Sequence, residues 1–391
     1  MTPNPRLPRP PVLPIFPWDT LLPAATLARQ HPDGIVDLSV GTPVDDTPVQ
    51  IQDTLKAAAN AHGYPPTIGT KELQDAIIHW FKARRGVDLG PENILPSIGS
   101  KELVASLPMQ LGMGVGDRVG HPEQAYPTYD IGARLAGATP IALPEDPRMW
   151  PTGHKAPALV WINSPGNPTG HVLSIPELRA IVAWARQNDV VIASDECYAE
   201  LPWEEPFISE GVPSLLDPRV TDGDMSGLLV VYSLSKQSNM AGYRAAFVGG
   251  DARLIEQLRE IRKHSGLMVP APVQAAMVWA LNDVDHVVKQ RNVYQKRRLG
   301  LLEACRSLGL SNDPNSVAGL YLYLKDEDDQ ETTGRDLLAA FARLGILVAP
   351  GDFYGPTADN RVRMALTGTD ERISAAISRL QECSALNKNP L

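Results

Sequence analysis

Short runs of apolar residues alternate with helical patterns between about residues 70 and 250. Five runs are predicted to be strands: 118–120, 158–162, 190–193, 228–232 and 245–248. They are apolar throughout instead of alternating apolar and polar, which is typical of parallel strands that are buried on both faces of a sheet. The helical patterns between them supply the crossovers. The pattern therefore predicts an α/β fold with a mainly parallel, doubly wound sheet, whose function lies at the carboxyl ends of the strands.

The pattern changes after about residue 287. A long helical stretch is followed by an apolar run at 319–324, a helix around 337–344 and strands near Leu347 and Val362, which predicts a smaller α+β lobe. The first eighteen residues contain seven prolines, at positions 3, 5, 8, 10, 11, 14 and 17, which favour an extended arm. A chain of 391 residues exceeds the size of one ordinary core. We expect a large domain at 45–286 and a smaller, discontinuous domain formed by the arm (1–44) and by 287–391.

Composition and charge narrow the possible partners. The chain has 43% hydrophobic and 21% charged residues and a net charge of −9 with scattered basic residues, so nucleic acid is not an expected partner. The densest basic cluster, at 296–298, lies in a helical pattern and predicts a solvated helix face.

Three widely spaced cysteines, Cys197, Cys305 and Cys383, favour neither a disulfide framework nor a zinc site, so we expect no metal and a reducing cytoplasm. The prolines of the arm interrupt any apolar stretch that could anchor the chain in a membrane.

Two candidate sites of chemistry combine a basic residue with a turn. Lys236, in SLSK at 233–236, comes directly after the run 228–232, with Arg244 eight residues further on. A lysine that forms an imine must lose its proton, against a usual pKa of about 10.4, so it needs a buried, cation-rich pocket, and Arg244 could bind a phosphate there. Ser100 and Lys101 follow a glycine at a predicted helix start, where free N–H groups form an anion site. Taken singly, Lys236 could equally be a surface lysine. Ser100 and Lys101 could equally lie at an ordinary helix start.

Two polar segments follow other predicted strands. Asn167 lies in NSPGNPTG at 163–170, where prolines and glycines form a turn; its amide could bind a ligand oxygen, or the segment could merely connect two elements. Asp195 begins DECY at 195–198. Its carboxylate could keep a pyridine nitrogen protonated, so that the ring accepts electrons, and Tyr198 could then reach the ring hydroxyl. A helix cap is the alternative role of Asp195.

NSPGNPTG, DECY and SLSK occur in this order, each after its own predicted strand, and an arginine follows eight residues after the lysine. This combination resembles the fold-type I pyridoxal-phosphate-dependent aminotransferases, and the resemblance extends from the arm to about Arg363. It implies three catalytic residues. Lys236 would carry pyridoxal 5'-phosphate as a Schiff base and move protons, Asp195 would pair with the ring nitrogen, and Tyr198 would bind the ring oxygen together with Asn167.

The same resemblance implies the remaining ligands. The cofactor phosphate would be held by residues near strand ends and one helix start: Ser100, Lys101, Ser233, Ser235 and Arg244. Tyr126, in AYPTY, would stack on the cofactor ring, with a core tyrosine as the alternative. Amino-acid and 2-oxo-acid substrates would lie near Gly41 and Asn167, with their α-carboxylate on Arg363, whose planar guanidinium suits it. Tyr64, in GYPPTIG, would reach the phosphate in a partner subunit, which implies a homodimer.

Longer segments resemble one branch of that family. FPWDTL, HPDGIVDLSVGTPVD, GSKELVASLP and RKHSGLMVPAPVQAAM look like the actinobacterial succinyldiaminopimelate aminotransferases. The likeness implies reversible amino transfer between N-succinyl-LL-2,6-diaminopimelate and 2-oxoglutarate, in the biosynthesis of diaminopimelate and lysine. Because these two substrates differ in length, we expect a movable lid, and residues 12–20 of the arm are the candidate.

Three other functions are compatible with the same residues. Another amino-acid aminotransferase, for example of the aspartate type, or a cystathionine-type carbon–sulfur lyase could use identical cofactor ligands, because a fold does not settle a function. A ligand-sensing regulator built from an aminotransferase-like domain is the third, although the net charge of −9 disfavours DNA binding.

Overall fold

The computed structural model describes residues 11–329 and 331–385, which form three sheets and their connecting helices. The strands are, in chain order, β1 (Val36–Asp37), β2 (Ile94–Ile98), β3 (Arg118–Pro122), β4 (Thr139–Leu143), β5 (Leu159–Asn163), β6 (Val191–Asp195), β7 (Leu228–Ser233), β8 (Ala245–Gly250), β9 (Leu310–Asn312), β10 (Tyr321–Asp326), β11 (Ile346–Leu347), β12 (Ala349–Pro350) and β13 (Val362–Ala365). The α-helices are α1 (Leu22–Ala28), α2 (Val49–Ala57), α3 (Lys71–Arg85), α4 (Ser100–Gln110), α5 (Thr128–Leu135), α6 (Ile175–Asn188), α7 (Phe207–Glu210), α8 (Pro218–Thr221), α9 (Leu234–Gln237), α10 (Ala252–His264), α11 (Ala271–Asn282), α12 (Asp285–Arg306), α13 (Gly334–Arg343) and α14 (Asp370–Ala385). Within these described ranges, no helix combines the length and apolar character that crossing a bilayer requires.

The largest sheet has seven strands in the order β2-β8-β7-β6-β5-β3-β4. Five of these strands, β4, β3, β5, β6 and β7, run parallel to one another. Strand β8 runs antiparallel to both β7 and β2. Three adjacent strands, β5, β6 and β7, end at Asn163, Asp195 and Ser233, so these polar residues lie along one edge of the sheet. The arrangement confirms the predicted mainly parallel, doubly wound α/β sheet.

Both faces of the large sheet are buried. Val160 and Ile162 of β5 pack in one apolar cluster, and the intervening Leu159 and Trp161 pack in another. Because successive side chains of a strand point to opposite faces, the two clusters lie on the two sides of the sheet. This double burial explains why the central strands are apolar throughout.

The two outer strands of this sheet, β2 and β4, were not predicted from the sequence. Each contains a proline, Pro96 in β2 and Pro140 in β4. A proline cannot donate a backbone hydrogen bond, so it argues against a strand in the middle of a sheet. An edge strand tolerates it because one side of its backbone has no partner strand, and both β2 and β4 are edge strands.

The smaller domain contains an antiparallel sheet in the order β12-β13-β10-β9 and a parallel pair of β1 with β11. Residues of the arm share its core: Leu21 and Val36 pack in the same cluster as Phe341 and Val362. This packing is what a discontinuous domain requires. The boundaries proposed at 44/45 and 286/287 stay predictions, and the part of the arm before residue 11 lies outside the described residues.

The expectation of a solvated basic face on α12 is wrong for two of its three residues. Lys296 is exposed, but Arg297 and Arg298 are buried. Arg297 donates hydrogen bonds to Asp45 at 2.6 and 2.8 Å and to Asp370 at 2.9 Å. The carboxylates that make its burial possible are far away in the sequence, so a local pattern of charge could not reveal them.

Candidate active site

A cavity of about 1040 Å³ opens at the carboxyl ends of β5, β6 and β7. Its walls come from the large domain, from β10 and β13 of the smaller domain, and from residues 13–18 of the arm. The structure brings together all the predicted cofactor and substrate residues except Tyr64: the cavity is lined by Gly41, Ser100, Lys101, Tyr126, Asn167, Asp195, Tyr198, Ser233, Ser235, Lys236, Arg244 and Arg363.

Lys236 lies in the short helix α9, directly after β7. Its ammonium group donates a hydrogen bond to the carbonyl oxygen of Gly41. Burial lowers the pKa of Lys236, and the positive charges of Arg363 and Arg244 act in the same direction. A lower pKa increases the unprotonated fraction at a given pH, and only the unprotonated amine attacks a carbonyl carbon.

Asp195 ends β6 and lines the cavity with a buried carboxylate; the residue is 7% exposed. Its Oδ2 accepts a hydrogen bond from the Tyr129 hydroxyl at 3.0 Å, and its Oδ1 accepts one from the backbone N–H of Cys197 at 3.2 Å. Burial raises the pKa of Asp195. A cation placed against the carboxylate would oppose this shift and favour ionisation, so the position suits a protonated ring nitrogen.

The turn that carries Asn167 is tied to the strand ends by Asn163. The Asn163 Nδ2 donates to the carbonyl of Asp195 at 2.7 Å, and its Oδ1 accepts from the backbone N–H of Asn167, also at 2.7 Å. The Asn167 Oδ1 accepts from Arg363 Nη1 at 2.9 Å. This contact fixes the orientation of the Asn167 amide and leaves its NH₂ group for a ligand oxygen.

An anion-binding corner forms where β7, α9 and the start of α4 meet. Gly99, directly before α4, has a φ of 76°, and a Cβ added there would overlap the Arg244 guanidinium, so this arginine packs against the helix start. The hydroxyls of Ser233 and Ser235 lie 2.8 Å apart. Helix N–H groups, hydroxyls and a planar guanidinium together suit a phosphate.

Arg363 of β13 is 2% exposed and carries a donor that no described residue accepts. Its Nη2 donates to the carbonyl of Ser39 at 2.7 Å, whereas its buried Nε has no hydrogen-bond partner. The guanidinium carbon lies 3.9 Å from the centre of the Tyr321 ring and 5.0 Å from that of Tyr354. A buried donor without an acceptor is costly, so the group suits a carboxylate ligand.

Two predicted tyrosines are placed differently. Tyr126 lines the cavity and packs edge-to-face on Tyr129 at 5.9 Å; burial raises the pKa of Tyr126 to about 12, so its ring stays neutral. Tyr64 is 95% exposed and does not line the cavity of its own chain. Its predicted role in a partner's site therefore stays a prediction.

Three further tyrosines of the cavity lining, Tyr129, Tyr321 and Tyr354, were missed. Tyr129 donates to Asp195, and the Tyr321 hydroxyl lies 3.2 Å from that of Tyr198. The local signal for Tyr129 was only its position directly after the AYPT segment that contains Tyr126. Tyr321 belongs to an apolar strand that also contains another tyrosine, and no local pattern distinguishes it.

The arm forms the wall next to Arg363. The ring of Trp18 lies 5.3 Å from that of Phe353, and its centre is 5.8 Å from the Arg363 guanidinium carbon. Phe16 lies 5.5 Å from Trp18. These residues occupy the position that a lid would need, and the movement of the lid stays a prediction.

Comparisons with known proteins give the family to which this chain is similar. Residues 33–380 match the family described as aminotransferase class I and II. A probable aminotransferase of Mycobacterium tuberculosis is 52% identical over 370 residues, with 94% of this chain and 85% of the relative covered. The 4-dedimethylamino-4-oxo-anhydrotetracycline transaminase of Streptomyces rimosus is 49% identical over 373 residues, with 94% and 99% covered. An LL-diaminopimelate aminotransferase of Aquifex aeolicus is 32% identical over 364 residues, with 89% and 91% covered.

A solved structure has the same fold over nearly the whole chain. An aminotransferase from Neisseria meningitidis superposes with a TM-score of 0.81 at 28% identity, and the superposition covers 96% of this chain and 98% of that chain. The matches in sequence and in structure therefore extend over nearly the whole chain.

Proposed function

This chain belongs to the aminotransferases of class I and II, and on that premise we propose that it transfers the amino group of N-succinyl-LL-2,6-diaminopimelate to 2-oxoglutarate. Membership of the family confirms the predicted enzyme class and the fold type, and it sets aside the non-catalytic regulator. The family is typically dependent on pyridoxal phosphate. The identity of the amino donor is the part of the proposal that goes beyond membership of the family.

The residues of the cavity fit pyridoxal phosphate. Its phosphate matches the corner at Arg244 and Ser100, its ring nitrogen matches the buried carboxylate of Asp195, its ring oxygen matches Asn167, and its aldehyde matches the buried amine of Lys236. When bound, this cofactor supplies an aromatic ring that accepts the electron pair left behind when the α-proton departs.

The chain's own residues bind the substrate and move the proton. Arg363 holds the α-carboxylate, using the Nε that is otherwise without a partner, and thereby fixes the α-carbon. Lys236 would take the proton from the α-carbon and deliver it to the carbon of the bound cofactor that gains the amino group, and the carbonyl of Gly41 accepts a hydrogen bond from the protonated amine. Fixed geometry and a placed base each contribute large rate factors.

The charge of the cavity carries the proposal for the donor. Its volume of about 1040 Å³ would be shared by the cofactor and the substrate, and it is compatible with a long donor. Four acidic residues line the cavity: Asp195 is assigned to the ring nitrogen, Asp130 pairs with Arg134, Asp352 pairs with Arg335, and Glu123 is exposed. The Lys101 side chain, whose backbone N–H is the group assigned to the phosphate, and Arg363 then remain for carboxylates of the substrate. N-succinyl-LL-2,6-diaminopimelate carries three carboxylates, one of them at each end of the molecule. The relative named as an LL-diaminopimelate aminotransferase supports the same carbon skeleton.

A panel of amino donors tests the proposal. Purified protein loaded with pyridoxal phosphate is supplied with 2-oxoglutarate, and glutamate formation is followed with N-succinyl-LL-diaminopimelate, free LL-diaminopimelate and aspartate. We expect the succinylated donor to have the highest kcat/KM, by about tenfold or more. A preference for another donor would contradict the proposal. Pyruvate and ammonia formed from cystathionine without 2-oxoglutarate would favour the carbon–sulfur lyase instead.

A second candidate is the amination of a ketone on fused aromatic rings, the kind of substrate named for the relative from Streptomyces rimosus. The observation that favours it is the aromatic wall of the cavity, formed by Phe16, Trp18 and Phe353. Flat aromatic faces suit a flat polycyclic ligand. An assay with glutamate as donor and a polycyclic ketone as acceptor distinguishes this candidate from the first.

We also propose a cytoplasmic homodimer in which Tyr64 reaches the neighbouring site. The support is that Tyr64 is 95% exposed and lies outside the cavity of its own chain. Sedimentation velocity should give a mass about twice the 42.4 kDa of one chain. A monomer at assay concentration would contradict this assembly.

We expect Trp18→Ala to weaken substrate binding more than turnover. Removing the indole opens the carboxylate end of the cavity to water, so the KM for the amino donor should rise about three- to tenfold while kcat changes less. Leu22→Ala is the control, because Leu22 is an exposed residue of α1 that does not line the cavity. Steady-state kinetics with an unchanged KM in Trp18→Ala would argue against the lid.

We expect Gly41→Ala to damage the site more broadly. An added Cβ would overlap the hydroxyl and ring of Tyr321, and the carbonyl of Gly41 is the acceptor for Lys236. Because Tyr321 is packed in β10, the loop and with it the lysine must shift, and kcat/KM should fall about tenfold or more. Gly114→Ala is the matched control, since Gly114 lies outside the cavity lining and a Cβ there would make only an ordinary contact, at 3.8 Å from the carbonyl oxygen of Ala136. Equal kcat/KM for the two variants would contradict the prediction.

A further inference from the structure

Two phenol groups share one hydrogen bond inside the cavity. The hydroxyls of Tyr321 and Tyr198 lie 3.2 Å apart, and their rings meet at 71° with centres separated by 5.8 Å. Both residues are buried, Tyr321 with 5% exposure. One of the two hydroxyls must donate and the other must accept, and the choice decides whether the proton of Tyr198 is free to bind a ligand.

The surrounding charges make Tyr321 the better donor. Burial opposes the ionisation of both phenols and raises the pKa of Tyr198 well above its usual value. For Tyr321, the positive charges of Arg363 and Lys236 outweigh burial and lower its pKa. The geometry agrees, because the Arg363 guanidinium carbon lies only 3.9 Å from the centre of the Tyr321 ring. Of two hydrogen-bonded phenols, the more acidic one donates.

We propose that Tyr321 is a positioning residue: its hydroxyl donates to the oxygen of Tyr198 and so leaves the Tyr198 proton directed at the ring oxygen of the bound cofactor. The proposal rests on the cofactor site proposed around Lys236 and Tyr198, but it does not depend on which amino donor the enzyme uses. Tyr321 acts through Tyr198 and is not itself the group that binds the ring oxygen.

A measurable consequence follows for the proton held by the cofactor and Lys236. A hydroxyl that accepts a hydrogen bond becomes a stronger donor. Stronger donation from Tyr198 stabilises the anionic form of the ring oxygen, so the proton shared between this oxygen and the Lys236 nitrogen is lost at a lower pH. Removing the Tyr321 hydroxyl must therefore raise the pH at which this proton is lost.

Other titratable or charged groups face Tyr321 and must remain unchanged in the comparison. The groups that interact electrostatically with it from the neighbouring elements are Tyr126, Asp195, Tyr198, Lys236, Tyr294, Tyr354 and Arg363. Tyr321→Phe leaves all of them in place and keeps the ring that packs against Arg363.

The experiment is a pH titration of the visible absorbance of the protein loaded with pyridoxal phosphate, without substrate. In Tyr321→Phe, we expect the midpoint to rise by about 0.5 to 1 pH unit. Tyr323→Phe is the matched control: it removes a buried hydroxyl of the same strand, hydrogen-bonded to Gln124 at 2.9 Å and outside the cavity lining, and should leave the midpoint unchanged.

A double-mutant cycle separates action through Tyr198 from a general effect on the site. In the Tyr198→Phe background, adding Tyr321→Phe should cause no further shift, because the hydroxyl through which Tyr321 acts is already absent. An unchanged midpoint in Tyr321→Phe, or equal shifts in both backgrounds, would overturn the proposal. A wrong amino donor leaves the titration intact, whereas a wild-type protein without visible absorbance would overturn the cofactor assignment and this proposal together.

Discussion

Lys236→Ala should abolish multiple-turnover transamination, with kcat falling about 10³-fold or more. The amine is held at one point of the cavity, in a helix that directly follows the buried strand β7, and its hydrogen bond to Gly41 fixes its position. An alanine offers neither the nucleophile that binds the cofactor nor the base that moves the α-proton, and proton transfer alone is worth about 10²–10⁴-fold. Steady-state formation of glutamate measures the loss.

Two controls make the result for Lys236 specific. Lys56→Ala removes an exposed lysine of α2 outside the cavity and should keep wild-type kcat. Borohydride reduction of the wild-type enzyme, followed by mass spectrometry of its peptides, should find the cofactor attached to the peptide that contains Lys236. Near wild-type turnover in Lys236→Ala, or attachment elsewhere, would remove the assignment on which the mechanism depends.

A residue of the site could be predicted from the sequence when a local pattern reveals it, and could not when its role depends on residues far away in the sequence. Asn167, Asp195 and Lys236 could be found from the sequence because each follows an apolar strand within a short motif, and parallel strands bring their carboxyl ends together. The contact of Tyr321 with Tyr198 joins residues 123 positions apart, and only tertiary packing creates it.

The same reasoning applies to the fold. The central strands β5, β6 and β7 were recognisable because burial on both faces makes every position apolar. Burial of the Arg297 side chain could not be anticipated, because it depends on Asp45, 252 residues away. The arm's place in the core of the smaller domain has the same origin, since Val36 pairs with Ile346 across most of the chain.

Arg363→Lys should lower kcat/KM for the amino donor about 100-fold while the protein remains folded. The guanidinium donates at once to Asn167 and Ser39 and still has a buried Nε for the substrate carboxylate. A lysine keeps the charge but cannot reproduce three donors in one plane, so it binds the carboxylate loosely and leaves the Asn167 amide free to turn. Loss of charged hydrogen bonds and of the fixed α-carbon both reduce the rate.

The matched control for Arg363 is its neighbour Arg361. Arg361→Lys makes the same change next to the same strand, but the Arg361 guanidinium bonds the carbonyl of Tyr323 and pairs with Asp313 outside the cavity lining. Thermal unfolding compares the stability of the two variants, which we expect to be similar. Their kcat/KM values should nevertheless differ, with a large loss only in Arg363→Lys. If Arg363→Lys kept wild-type kcat/KM, the substrate carboxylate would have to bind at another cation of the cavity, and Lys101 would be the first to test.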